Sequence, residues 1–348
     1  MILPSPAGRG LIAPKGDAMI DMGQLADGRR VQAVDLRAGR LCARVLTLGG
    51  IVQDLRLDGI DHPLVLGHPD PATYLTDPFR HVGALVGRYA NRIAGARIRL
   101  SGRVHDLDAN EGPNCLHGGT DGASVRLWRI TRAAPDAVTL ALDFTDGEMG
   151  FPGAMQALAT LSLGDHDRTA SFSVALQATA TRPTPCNLTH HGYWTLSPDG
   201  AADQMLQIEA DRYLPVDDAL IPLPDAPAPV AGTRFDFRTA RPLGDAGLDH
   251  CWCLADGHGP LRQVASLTAP DLRLRVLTTA PGLQVYDGGH FPQTGLAGHS
   301  GQIARPQSAV AFEAQEWPDA PNRPDFPPTI LRPGTVWRTE TRYLLDRP

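Results

Sequence analysis

Glycine and proline leave this chain little room for helix. They number 36 and 31 among 348 residues and are spread along the whole length. A glycine inside a helix costs about 1 kcal/mol and a proline about 3 kcal/mol relative to alanine. Few stretches of about a dozen residues escape both. Short alternating runs fill the space instead. Residues 137–144, AVTLALDF, place Val138, Leu140, Leu142 and Phe144 on one face; residues 170–178 alternate Phe172, Val174 and Leu176; residues 273–279 alternate Leu274, Val276 and Thr278. Period-two runs bounded by turn residues mark antiparallel strands with one buried face. Many such runs without a βαβ rhythm predict an all-β chain folded as a large antiparallel β-sandwich. A helix is expected only over residues 77–87. With no internal repeat, residues 21–348 read as a single domain. Residues 1–20, interrupted by Pro4, Pro6 and Pro14, read as a disordered extension rather than a signal peptide, with Met19 an alternative start.

Charge and cysteine content narrow the function classes. A net charge of −6 with dispersed basic residues argues against nucleic acid or an anionic membrane as partner. No apolar run has the length of a membrane span. The five cysteines, Cys42, Cys115, Cys186, Cys251 and Cys253, are an odd set in a long chain and read as reduced thiols of a cytoplasmic protein. Cys251 and Cys253 form C-x-C with no second pair to complete a zinc site. No Walker A, G-x-G-x-x-G, G-x-S-x-G or H-E-x-x-H pattern occurs, so neither cofactor nor metal is expected.

Polar side chains gather beside turn residues in a few segments: GRYANRIAGARI (87–98), NEGPNCLHGGTDG (110–122), PCNLTHHGYWTL (185–196) and AFEAQEWPDAPNRPDFPPTILRPG (311–334). Asp249-His250 and GLQVYDGG (282–289) lie between them. Taken singly, each has a plain structural account. Asn91-Arg92 would fasten a loop, His117 would cap a Gly-Gly turn, Glu313 would pair with an arginine, and one of His190 and His191 would be buried neutral. Taken together with DGEMGFPG (146–153) and LDHCW (248–252), the segments occur in the order found in aldose 1-epimerases, and the chain resembles that family over residues 21–345.

The resemblance implies a galactose mutarotase-like sandwich with a sugar site on its concave face. It implies interconversion of the α and β anomers of a free aldose such as galactose, glucose, xylose or arabinose, without cofactor, by a monomer or homodimer whose partner is the monosaccharide. By the same resemblance His191 matches the general acid and Glu313 the general base. Arg92, His117, Asp249 and Gln284 match residues that bind sugar hydroxyls, and Asn91 the asparagine before the arginine. His190 stands where the family commonly has Asn, and is expected to support the neighbouring strand rather than touch substrate or shift His191. Phe312 and Ala314 are expected to raise the Glu313 pKa by desolvation, and the Glu313 charge to keep His191 protonated. Two other readings use the same fold: a non-catalytic sugar-binding protein, and a hexose-6-phosphate 1-epimerase. The latter needs an arginine cluster for the phosphate, for which Arg126, Arg182 and Arg323 are candidates. A glycosidase using Asp249 and Glu313 would leave the paired histidines unexplained.

Overall fold

The computed structural model describes residues 19–348, in which regular structure is entirely strand apart from short 3₁₀ turns. The alternating runs become strands with the expected inward faces: Ala137–Phe144 buries Val138, Leu140, Leu142 and Phe144, and Thr169–Ala180 buries Phe172, Val174 and Leu176. Both lie in a nine-stranded antiparallel sheet. Its order is Arg129–Ala134, Ala137–Phe144, Met155–His166, Thr169–Ala180, Trp337–Asp346, Arg273–Thr278, Arg262–Thr268, Met205–Ile208 and Arg241–Pro242. The inner face of this sheet packs on two others. One is a four-stranded N-terminal sheet, Met19–Gln24 to Val52–Leu57; the other has six strands with Val310–Gln315 and Gly282–Tyr286 near its middle. One apolar core joins all three, with Val34 and Leu55 from the small sheet, Leu161, Phe172 and Tyr343 from the large one, and Trp252, Val285 and Phe312 from the third. Each such side chain, fully buried, contributes roughly 1.5–3 kcal/mol.

Residues 1–18 of the expected extension lie outside the described residues. Met19 and Ile20 are the first residues of a strand, opposite Val34 and Ala33.

The helix expected over residues 77–87 does not form. The segment is a run of turns ending in the short strand Leu85–Val86. Its backbone donors are drawn away to other segments: the Gly83 N–H donates to the His191 carbonyl and the Leu85 N–H to the Gly49 carbonyl. Tertiary pairing overrides a weak local preference.

One buried side chain links separate parts of the fold. Asn187 accepts the Glu316 N–H at its Oδ1 (2.9 Å) and donates from Nδ2 to the Ala90 carbonyl (3.0 Å). Asn187→Ala would leave both groups buried without partners, each costing about 1–3 kcal/mol. Urea denaturation should show a lowered midpoint with an unchanged slope; an unchanged midpoint would rule out this bridging role.

Candidate active site

The floor of the site is one face of the six-stranded sheet. Glu313 lies opposite Gln284, Tyr286 opposite both Asp249 and Ala311, and Ala311 opposite Tyr193 on the next strand. Because side chains alternate along each strand, Tyr193, Asp249, Gln284, Tyr286 and Glu313 share one face. The intervening Trp194, Trp252, Leu283, Val285, Phe312 and Ala314 point into the core. The expectation that Phe312 and Ala314 desolvate Glu313 is therefore corrected: they lie across the pleat from its carboxyl. The same alternation separates the paired histidines. His190 packs in the core against Phe172 (5.5 Å between ring centroids), where burial lowers its pKa to about 4 and neither ring nitrogen has a partner. His191 turns to the site face.

The wall comes from a small pairing of Arg92–Ile93 with Cys115–Leu116. Asn91 and His117, at adjoining positions, both hold left-handed backbone (φ 65° and 51°). Gly118 follows at φ 87°, where a Cβ would sit 2.3 Å from the Gly87 carbonyl oxygen, so only glycine lets these segments close. The Asn91 N–H donates to Nδ1 of His117 (3.1 Å), and Asn91 Oδ1 accepts the Arg92 N–H (2.8 Å). Arg92 is gripped by Glu111 through two parallel bonds of 2.7 Å, from Nε to Oε2 and from Nη2 to Oε1. Asp249 accepts a hydrogen bond from Nε2 of Gln284.

The centre is compact. His191 Nε2 lies 3.3 Å from Glu313 Oε1. Polar atoms of His117, His191 and Glu313 all fall within 4.8 Å of one another. Such spacing alone would suit a divalent cation. However, the bond from Asn91 puts the lone pair of neutral His117 on Nδ1 and its proton on Nε2, leaving no bare nitrogen for a metal. His117 instead presents a fixed donor. All seven residues picked out in the sequence are thus accounted for. His117, His191 and Glu313 converge, Gln284 and Asp249 pair beside them, Arg92 carries the local positive charge, and Asn91 orients two of its neighbours.

Burial dominates the electrostatics. It pushes Glu313 well above the usual carboxylate range, with Asp249 adding to the rise and Arg92 opposing it. Asp249 is raised by burial and held back by Arg92. His191 and His117 are both driven well below the usual histidine value, first by burial and then by the neighbouring imidazole of His81. Burial thus works against the charge that Glu313 is expected to hold on His191. Glu111, Tyr193 and His81 were missed from sequence. Glu111 and Tyr193 carried a signal, since both lie inside segments already noted for their polarity; His81 lay in the stretch expected to be helical.

In ¹⁵N NMR of the imidazole rings, His117 should stay neutral with its proton on Nε2 at pH ~6, where a free histidine (pKa ~6.5) is mostly charged. A titration near ~6.5, or a proton on Nδ1, would contradict the geometry.

Comparison with known proteins agrees with the fold. The family model described as Aldose 1-epimerase matches residues 32–344. The chain is 35% identical over 338 residues to the galactose mutarotase of Mus musculus, covering 91% of this chain and 94% of that protein. It is 35% identical over 337 residues to the aldose 1-epimerase of Escherichia coli K12, covering 91% and 92%. Among solved structures, galactose 1-epimerase from Lactobacillus acidophilus NCFM superposes with a TM-score of 0.79 at 29% identity, covering 94% of this chain and 98% of that one. A compact acid–base centre on the face of an antiparallel sheet, together with a match over nearly the whole chain, makes this protein a member of the aldose 1-epimerase family.

Proposed function

We propose that the chain interconverts the anomers of a free aldose with Glu313 and His191 as the proton-transfer pair. The observation that carries this reading is the 3.3 Å contact between His191 Nε2 and Glu313 Oε1 in a buried site bordered by the hydrogen-bonded side chains of His117, Arg92 and Gln284. Burial opposes net charge of either sign, so the pair holds one proton between its members. With that proton on Nε2, Glu313 is a carboxylate able to accept the C1 hydroxyl proton, while His191 gives its proton to the ring oxygen. The C1–O5 bond breaks as the C1 carbonyl forms. After rotation about C1–C2 the steps reverse on the other face of C1, and both protons return to where they began. No electrons leave the sugar.

The remaining groups orient the substrate. His117 Nε2–H is a donor whose direction is set by Asn91, and Arg92 is a cation whose fork is set by Glu111. Holding a pyranose against such fixed groups turns binding energy into correct placement of C1. The phosphorylated-sugar reading has less support. Arg126, Arg182 and Arg323 are committed to Glu148, Asp146 and Asp325 respectively. The cysteines of the described residues are free thiols, which suits a reducing compartment.

Polarimetry on freshly dissolved α-D-galactose, α-D-glucose and α-D-xylose tests the assignment. His191→Ala and Glu313→Ala should each lose about 10²–10⁴-fold in kcat. The double variant should lose far less than the product of the two, because the residues act as one unit. Wild-type mutarotation at the buffer rate with every sugar would refute the reading.

The pH dependence has a definite sign. Adding a second proton makes the pair cationic, so burial moves the acid limb below the ordinary histidine value. Removing the shared proton makes it anionic, which moves the alkaline limb above the ordinary carboxylate value. Hence the acid-side fall in kcat/KM should have its midpoint below the ordinary histidine value of ~6.5, and a midpoint at or above that value would contradict the effect of burial. Glu111→Ala should raise KM by up to roughly tenfold with a smaller change in kcat, since Glu111 is partly solvated and its bonds to Arg92 are screened.

A further inference from the structure

A third imidazole borders the centre and has no part in the chemistry above. His81 sits on the turn-rich segment before Leu85–Val86, with its ring centroid 4.7 Å from that of His117 and 6.4 Å from that of His191, nearly parallel to the latter at 19°. Its backbone is left-handed, with φ 73°. That conformation is uncommon for a residue with a side chain, histidine being among the types enriched in it. It is locked from both sides: the Ala84 N–H donates to the His81 carbonyl, and the Gly83 N–H to the His191 carbonyl. The ring is anchored at one end only, by the bond of Nδ1 with Ser124 Oγ (2.9 Å). Among the described residues, Nε2 has no hydrogen-bond partner, and it is not one of the polar atoms sealed from solvent. A half-buried ring is therefore turned so that one nitrogen is used by the protein and the other remains open beside the catalytic pair.

We propose that His81 is a further substrate-binding residue, with Nε2 hydrogen-bonding a hydroxyl of the pyranose. This rests on the aldose reading of the site. The competing account is that the ring merely fills space between His117 and the turn. Chemistry separates the two. A filler needs only an aromatic ring of similar size, whereas a hydroxyl contact needs the nitrogen and matters only for sugars that bear that hydroxyl.

The experiment measures polarimetric kcat and KM, together with calorimetric Kd, for wild type, His81→Phe and His81→Gln. The probes are D-galactose, 2-deoxy-D-galactose, 6-deoxy-D-galactose, D-glucose and D-xylose. His81→Phe keeps the ring and loses Nε2; it should weaken binding of galactose by about tenfold, the worth of one hydrogen bond of ~1.4 kcal/mol. One probe that lacks or inverts a single hydroxyl should show no such loss, which names the contacted position. His81→Gln, with an amide able to donate and accept, should keep more affinity than His81→Phe. Equal losses for every sugar, or wild-type constants in His81→Phe, would overturn the proposal. If His81→Phe does not fold, a wild-type sugar profile in His81→Gln supports the contact, and a uniform loss overturns it. The aldose reading is judged separately, by whether the wild type accelerates mutarotation of any probe.

Discussion

The site depends on the Asn187 amide, buried where three segments cross. Its Oδ1 receives the Glu316 N–H, its Nδ2 reaches the Ala90 carbonyl, and its own backbone pairs with Arg88 and Ala90. Ala90 immediately precedes Asn91 and Arg92, Glu316 directly follows the strand that carries Glu313, and Asn187 itself leads into the paired histidines. The wall, Glu313 and His191 are thus tied to one side chain that is fully buried. Two further bonds stiffen the arrangement: Thr189 Oγ1 donates to the Ala314 carbonyl (2.7 Å), and Tyr343 Oη to the Phe312 carbonyl (3.0 Å). The second reaches across the sandwich from the nine-stranded sheet. The strand bearing Glu313 is consequently held from both faces.

That rigidity has an energetic purpose. An unpaired buried charge costs several kcal/mol even after relaxation, and this site buries Glu313 and Arg92, with Asp249 half-buried beside them. The cost is offset across the thickness of a single sheet. The strands that present Glu313, Gln284 and Asp249 on one face press Phe312, Val285 and Trp252 into the core on the other. Arg92 moderates the rise of both carboxyl pKa values, and Glu111 keeps Arg92 from collapsing onto the pair it serves. What remains is a set of groups with little freedom to reorganise, which is the condition for electrostatic and general acid–base catalysis in a dry site.

Much of this was legible in the chain because strand chemistry is local. The alternation in residues 137–144 and 170–178 needs only a two-residue period, and both segments are strands with the expected buried faces. The family motifs in order likewise carried the fold and the activity. Residues 77–87 misled because their propensity is weak and their donors are spent on Gly49 and His191, contacts no window of sequence reveals. Phe312 and Ala314 misled for a related reason. Neighbours in sequence on a strand point to opposite faces, so the residues beside Glu313 are those least able to touch its carboxyl.

Composition, periodicity and motif order were enough to determine a helix-poor antiparallel sandwich and the family, and the resemblance singled out seven polar residues as candidates. Those properties depend on residue type and short spacing. Tertiary structure alone decided how the residues act on one another. It set the tautomer of His117 through a backbone donor 26 positions away, the grip of Glu111 on Arg92, and the inward turn of His190 against the outward turn of His191. It also set burial against the expected charge on His191. Protonation follows the dielectric around a group, and that is created by packing segments far apart in the chain.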